Sequence, residues 1–361
     1  MPGFDFIVIG AGIAGLAAAA SLSRHGRVAL VEQEEHPCYH SSGRSAAIFV
    51  RSYGSGAVQA ITTRAAALFA EARETGLFDA LGTARGVMIV TPAGSAESGE
   101  APFRERLTAE EAARLNPILR ADRLDHGWWE PGASDIDVHA MQTGYLKLLR
   151  ANGGTLIAAS PVRGAEFRAG LWHVAAGGES LSAPVAVNAS GGWADPVAAL
   201  FGARPLGVLP KRRSAMLIDP PAGIDIAGLP MVVDADETLF FKPDAGRLML
   251  SPADATPVEP HDCWPEDIDL AIAADRYEKL TGHPVMRMHG SWAGLRSFVP
   301  DENPLIGADP AVPGFYWLAA LGGFGVQTAP ALGAMLAEAV TGAATSDPAL
   351  LAAVSPARIA A

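Results

Sequence analysis

A chain of 361 residues, 49% apolar and 18% charged with 39 glycines, has the material for two interleaved cores and lies far from the composition of a disordered polymer. Its net charge of −12 argues against a nucleic-acid partner, because phosphate binding needs a basic surface. Two cysteines, Cys38 and Cys263, make neither a disulfide framework nor a metal site, so a reducing, cytoplasmic setting is expected.

In chain order, Phe6-Ile7-Val8-Ile9 is a short apolar run bounded by glycine, which predicts a strand buried on both faces. Ile13, Leu16, Ala17, Ala20 and Leu22 recur near helical spacing and stop at His25-Gly26; Val28-Ala29-Leu30-Val31 then predicts a second buried strand. Together these make a βαβ unit of about thirty residues, the size of a dinucleotide-binding module. The uncharged run from Phe6 to Ser23 resembles a signal peptide or membrane span. Asp5 precedes it, no basic segment leads into it and three glycines interrupt it, so no span is expected. Val87 to Val90 reads as a strand, Ala109 to Leu115 and Asp137 to Asn152 as helices. Thr155 to Ala159, Trp172 to Ala176 and Val185 to Asn188 read as strands returning to the first sheet. The strand-rich, proline-punctuated stretch Ser214 to Ser251 predicts a second domain on a large mixed or antiparallel sheet. Gly322-Gly323 announces a final helix from about Thr328 to Val340, ended by Gly342. The expected class is α/β: a Rossmann-like domain joined to an α+β domain.

Gly10-Ala11-Gly12-Ile13-Ala14-Gly15 is G-x-G-x-x-G between a buried strand and a helix, its required context. The first glycine allows the turn, the second lets backbone approach a pyrophosphate, and the third lets helix and strand pack closely. Free N–H groups at the helix start then hold the diphosphate. Glu32, twenty-two positions after Gly10, ends the second strand where a carboxylate takes ribose hydroxyls and repels a 2′-phosphate. FAD and NAD share this fingerprint. Ser41-Ser42-Gly43-Arg44-Ser45-Ala46-Ala47, hydroxyl-rich with one cation, suits a long cofactor and supplies donors to phosphate, although alone it also reads as a surface turn.

Other constellations are weak. His36, Cys38 and His40 have no usual metal spacing, so no metal is expected. Asp135 and Asp137 stand at a helix start, where capping explains them, and no G-x-S-x-G elbow with partners occurs.

His40 to Ala47, Val187-Asn188-Ala189-Ser190-Gly191-Gly192-Trp193, Lys211-Arg212-Arg213-Ser214, Trp292-Ala293-Gly294-Leu295-Arg296 and Gly322-Gly323-Phe324-Gly325-Val326-Gln327-Thr328, taken in order with the fingerprint, resemble the D-amino-acid oxidase/glycine oxidase superfamily, and within it the bacterial D-arginine dehydrogenases. The resemblance implies noncovalent FAD. It implies a cofactor domain from residues 1–80, 132–200 and 290–361, with a substrate domain from 81–131 and 201–289. Cofactor contacts are implied at Gly10, Gly12, Ala14, Gly15, Glu32 and Gln33, along Ser41 to Ile48, at Val162, Gly191 and Trp193, and through the flavin-adjacent loop Gly322 to Gln327. Arg213 and Arg296 match the pair that grips the substrate carboxylate, a task suited to guanidinium forks; Tyr53 matches a tyrosine that completes the carboxylate or amine contacts, and at Gly323 a loop carbonyl can face the substrate amine. Without the resemblance, either arginine reads as an ordinary solvated ion pair and Tyr53 as a packing residue.

The departures point to specificity. Val87 stands where those dehydrogenases carry a carboxylate for the substrate guanidinium; Ile48 replaces a histidine, Val50 a threonine and Phe240 a tyrosine, while Met231 and Val233 are retained. A cationic side chain buried against that wall loses solvation without gaining a partner. Neutral apolar or aromatic D-amino acids are therefore expected to outcompete D-Arg and D-Lys. Leu248-Met249-Leu250 lacks the oxygen-activating lysine of sarcosine-type oxidases, which favours a dehydrogenase passing electrons to a quinone-like acceptor over one using O2. Oxidation of glycine or sarcosine-type amines, oxidation of a 2-hydroxy acid and a nonenzymatic dinucleotide module remain as alternatives, and a monomer or small homo-oligomer is expected.

Overall fold

The computed structural model describes residues 3–95, 99–343, 345 and 347–360. Its centre is a six-stranded sheet in the order 305–308, 315–319, 185–188, 6–9, 28–31, 155–157, parallel except for the antiparallel first strand. The strand β1 (Phe6–Ile9) is buried at every position because alternate residues serve opposite layers. Phe6 and Val8 pack under the helices α1 (Ile13–Leu22), Gly56–Glu74, Val138–Ala151 and Gly325–Thr341, whereas Ile7 and Ile9 join Trp172, Val174 and Leu181 on the other face.

That second layer corrects one expectation. Trp172 to Ala176 does not rejoin the first sheet; the strand Leu171–Ala176 lies in a separate three-stranded antiparallel sheet with Val162–Arg168 and Glu179–Ala183. Its alternation of buried Trp172, Val174 and Ala176 with more exposed residues is the signature of a sheet covering one face, unlike the continuous apolar runs of the parallel strands.

The nine-stranded sheet runs 256–257, 209–218, 247–251, 240–244, 231–234, 87–92, 124–130, 105–108, with the strand Met288–Phe298 paired along Leu209–Ile218. Met231–Asp234 runs parallel to Val87–Pro92, so the sheet is mixed. One face is closed by the helix Asp267–Thr281, which sets Leu270, Ala273 and Tyr277 against Met88, Met216, Phe241 and Leu250. The opposite face presents Val87, Ala215, Met231, Phe240 and Met249 to the segment that carries Ile48, Val50 and Tyr53. Register alone decides this: each is one residue from a neighbour buried on the helix side.

Candidate active site

A cavity of about 470 Å³ opens at the C-terminal ends of the parallel strands, where open α/β sheets take their ligands. Gly10, Gly12 and Ala14 line its start, followed by Glu32 and Gln33 at the end of β2 (Val28–Val31) and by Ser41, Ser42 and Arg44 to Ala46. Gly10 turns with φ +98°, and a methyl added there would come within 2.6 Å of the Ala189 carbonyl oxygen. Only glycine fits that corner. Glu32 is anchored by the N–H of Ala11 at 2.5 Å and of Glu34 at 3.0 Å, which fixes its carboxylate at the strand end. Ser42 Oγ accepts from the N–H of Ile13 at 3.0 Å and so caps the start of α1 from outside the helix. Farther along stand Val162, Gly191 and Trp193, then Gly322, Gly323, Gly325 and Val326.

Not every residue named from the sequence lines this cavity. Gly15 packs instead, since a methyl on it would collide with the carbonyl of Gly10, and Gly43 closes a turn against Cys38. Ala47 and Ile48 pack into neighbouring apolar clusters. Phe324 stands edge-on to Tyr53 at 4.8 Å between ring centres. The Gln327 side chain is buried, accepting from the Val50 N–H at 3.1 Å and donating to the Val50 carbonyl at 3.2 Å and to Thr62 Oγ1 at 2.9 Å.

At the far end the paired strands 209–218 and 288–298 bring Arg213 and Arg296 together. Arg213 lies opposite Gly294 and Arg296 opposite Lys211, so both arginines project from one face on a diagonal. Burial first, and the neighbouring Arg296 charge second, push the Arg213 guanidinium down to about 10. Its Nε is buried without a partner, and among the described residues neither arginine forms an ion pair. Arg296 Nη1 donates to the Tyr53 hydroxyl at 3.2 Å. A methyl on Gly323 would stand 2.7 Å from Arg296 Nη1 and 3.2 Å from the Tyr53 oxygen, so glycine keeps this corner open. Arg213, Arg296, Tyr53 and Gly323 are thus one constellation.

Beside it, Val50, Val87, Met231 and Phe240 are buried in a single apolar cluster, with Ile48 and Val233 packed against it. Met249 and Ala215, which sequence reasoning did not assign to this wall, complete it, and Phe240 and Met249 also line the cavity. Lys242 was missed as well. It sits two residues after Phe240 on the same face, opposite Met249, and its ammonium donates to Asp135 at 2.8 Å. Asp135 also accepts from Arg85 Nε at 2.7 Å, so it holds an ion cluster while Asp137 alone caps the following helix through the N–H of Ala140. Burial raises the Asp135 carboxyl, and the bonds from Arg85 and Lys242 overturn that and hold it below the usual range.

A family model described as DAO, FAD dependent oxidoreductase, matches residues 5–339. The chain belongs to that family. FAD is therefore its cofactor, and the glycine corner, the fixed carboxylate at the end of β2 and the long cavity ending at two arginines fit that group. FAD-dependent oxidoreductase domain-containing protein 1 of Bos taurus is 24% identical over 178 residues, 45% of this chain and 36% of that protein, so the match spans only about a third of that relative. In structure the flavoenzyme resembles L-proline dehydrogenase from P. horikoshii, with a TM-score of 0.85 at 20% identity over 99% of this chain and 98% of that one. It also resembles glycine oxidase from Geobacillus kaustophilus, with a TM-score of 0.82 at 20% identity over 98% of both chains.

In this FAD-dependent oxidoreductase the one cation of the Ser41–Ala47 run bonds to protein. Arg44 pairs with Asp262 at 2.6 Å and donates to the carbonyls of Ala293 at 3.0 Å and Cys263 at 3.2 Å. Ser41 Oγ donates to the Leu295 carbonyl at 2.6 Å. The cavity-lining loop is thereby stitched to the strand that carries Arg296. Cys38 also lines the cavity, and burial pushes its thiol up to about 12, which keeps it protonated and inert.

Proposed function

We propose that this flavoenzyme oxidises neutral apolar or aromatic D-amino acids to imino acids, which water hydrolyses to 2-oxo acids and ammonia. The observation that carries the reading is the pair Arg213 and Arg296, half-buried on one face of the paired strands with no protein carboxylate on either among the described residues. Two like charges held close together and partly shielded from water are costly until a ligand neutralises them, and two guanidinium forks match an α-carboxylate. The Tyr53 hydroxyl on Arg296 adds a third polar contact, and Gly323 leaves room beside them for the amine. These residues orient the substrate; FAD, when bound, supplies the hydride acceptor. Ile48, Val50, Phe240 and Met249 offer no base, so the amine loses its proton to solvent, and the pH profile of kcat/KM reports one group, the amine.

The wall favours apolar chains, and the Lys242 and Arg85 ammonium and guanidinium at its border further disfavour D-Arg and D-Lys. Met249 faces the cavity, and its cross-strand neighbour Lys242 is held by Asp135, which supports electron transfer to a quinone-like acceptor over reaction with O2. A second reading, oxidation of glycine or sarcosine-type amines, is favoured by the tightness of the wall, where Val50, Val87, Met231 and Phe240 are at most 7% exposed.

The test is anaerobic bleaching of the flavin by a substrate panel. D-Leu, D-Met or D-Phe should exceed D-Arg in kcat/KM by about tenfold or more; a tenfold lead for D-Arg overturns the apolar-wall argument, and bleaching by glycine or sarcosine alone selects the second reading. Fast reoxidation by air with peroxide release would show an oxidase.

A further inference from the structure

The segment that bears Tyr53 is held almost wholly by side chains from elsewhere. Among the described residues, the turn 50–54 makes no backbone–backbone hydrogen bond to the rest of the chain. Gln327 holds Val50 from one side. Gln59 donates to the carbonyls of Ser52 at 3.2 Å and Gly54 at 3.0 Å from below. The remaining anchor is Glu130, 2% exposed, whose carboxylate accepts from the N–H of Arg51 at 2.7 Å, from the N–H of Ser52 at 3.4 Å and from the Ser52 hydroxyl. Arg104 Nε donates to that same hydroxyl at 2.8 Å, so a guanidinium closes the network and partners the buried acid through Ser52. Glu130 stands opposite Val87 in the strand register, and Val87 belongs to the apolar wall.

We propose that Glu130 is a positioning residue for amino-acid oxidation: by gripping Arg51 and Ser52 it sets the place of the Tyr53 hydroxyl against Arg296, and it ties that polar contact to the strand that forms the side-chain wall. The proposal rests on the reading that Tyr53 meets the substrate carboxylate. Nothing in the chemistry of the buried carboxylate touches substrate; its effect passes through the two backbone amides it holds. A glutamine in its place keeps the size but turns an N–H₂ group towards donors, leaving a buried donor without an acceptor.

The experiment is a double-mutant cycle on holoenzyme with Glu130→Gln and Tyr53→Phe. Glu130→Gln should retain FAD with an unchanged visible spectrum, speed hydrogen exchange of the amides of residues 50–54, and raise KM for the best amino acid about tenfold with a smaller change in kcat. Introduced into Tyr53→Phe it should add less than about twofold, because its route of action is already gone. Equal losses in both backgrounds, or a lowered Tm with KM unchanged, overturn the proposal. Should Glu130→Gln fail to fold, Ser52→Ala removes one of the three bonds and must shift KM in the same direction; no shift overturns it. Benzoate binding, followed by the flavin band, separates this inference from the substrate assignment. Weaker benzoate binding in Glu130→Gln that disappears in the Tyr53→Phe background supports positioning even where no amino acid bleaches the flavin, and undiminished binding overturns it.

Discussion

Arg212 and Arg213 are chain neighbours with opposite surroundings. Arg212 points to the helix side, where Glu266 at 2.5 Å and Asp269 at 2.8 Å neutralise it, while Arg213 turns to the cavity and meets another arginine. A strand alternates its side chains, so one step in sequence separates a structural ion pair from the proposed ligand clamp. Because the Arg213 guanidinium is held low, at about 10, the free fold disfavours its charge. Stability of the free enzyme should therefore rise as pH climbs through about 10, where the folded form releases a proton that the unfolded chain keeps. Benzoate affinity, which needs the charged form, should fall over the same range. Arg213→Met should abolish both trends, raise Tm of the free enzyme, and cut kcat/KM by about a hundredfold. Thermal melts and benzoate titrations across that range decide it; an Arg213→Met enzyme with lower Tm and the same benzoate pH profile as the wild type would refute the account. Residue identities in the proposed clamp were not legible from spacing, since positions 53, 213, 296 and 323 meet only through long-range pairing. They were reached through resemblance. The ion cluster of Arg85, Asp135 and Lys242 was missed because an acid two residues before a helix reads as a cap until a tertiary partner claims it.

Among the elements, β1, α1, β2 and the strand Val185–Asn188 occupy the residues their patterns predicted, because buried parallel strands and their connecting helix carry unmixed periodicity. The helix Gly56–Glu74 was not read. Its buried Val58, Ile61, Ala65, Phe69 and Ala72 do recur at helical steps, but alanine and threonine dilute the contrast on which the eye relies. The last helix begins at Gly325 rather than near Thr328, since Gly325 and the buried Val326 belong at once to the cavity-lining turn and to the first coil of the helix. The third glycine of the fingerprint permits a sharp element-level prediction. Gly15→Ala drives a methyl into the Gly10 carbonyl between α1 and β1, so it should yield unstable, colourless protein, whereas Gly164→Ala, which meets nothing within 4 Å, should purify yellow with an unchanged melt. Yellow, stable Gly15→Ala protein would contradict the packing role.

Across the whole molecule, the two large sheets are joined at the cavity. Arg44 reaches Asp262, Cys263 and Ala293 from the loop after β2, and Trp292 Nε1 returns a bond to the Arg44 carbonyl at 3.1 Å. The carboxylate of Asp262 is partly exposed, so Asp262→Asn should change stability by no more than about 0.5 kcal/mol, and by less in salt. Arg44→Met also orphans two carbonyls; it should lower Tm visibly and quicken loss of FAD on dilution, by about 1–3 kcal/mol of lost bonding. Equal effects from both variants would assign the contact to charge alone. The α/β class and the mixed second sheet were legible from patterning, but the placement of the small sheet over the first was not, because alternation tells that a strand has one covered face and not which layer covers it.

Helix α1 and the helix Gly325–Thr341 touch at Gly333, where an added methyl would come 2.6 Å from the carbonyl oxygen of Ala17. The first of these rods starts at the glycine corner and the second at the loop beside the arginines, so a single notch at their crossing bears on both ends of the cavity. A heavier residue in that notch would act as a wedge at a fulcrum, and its damage would surface at either tip, as altered hue or redox potential, rather than at the hinge where the lesion sits.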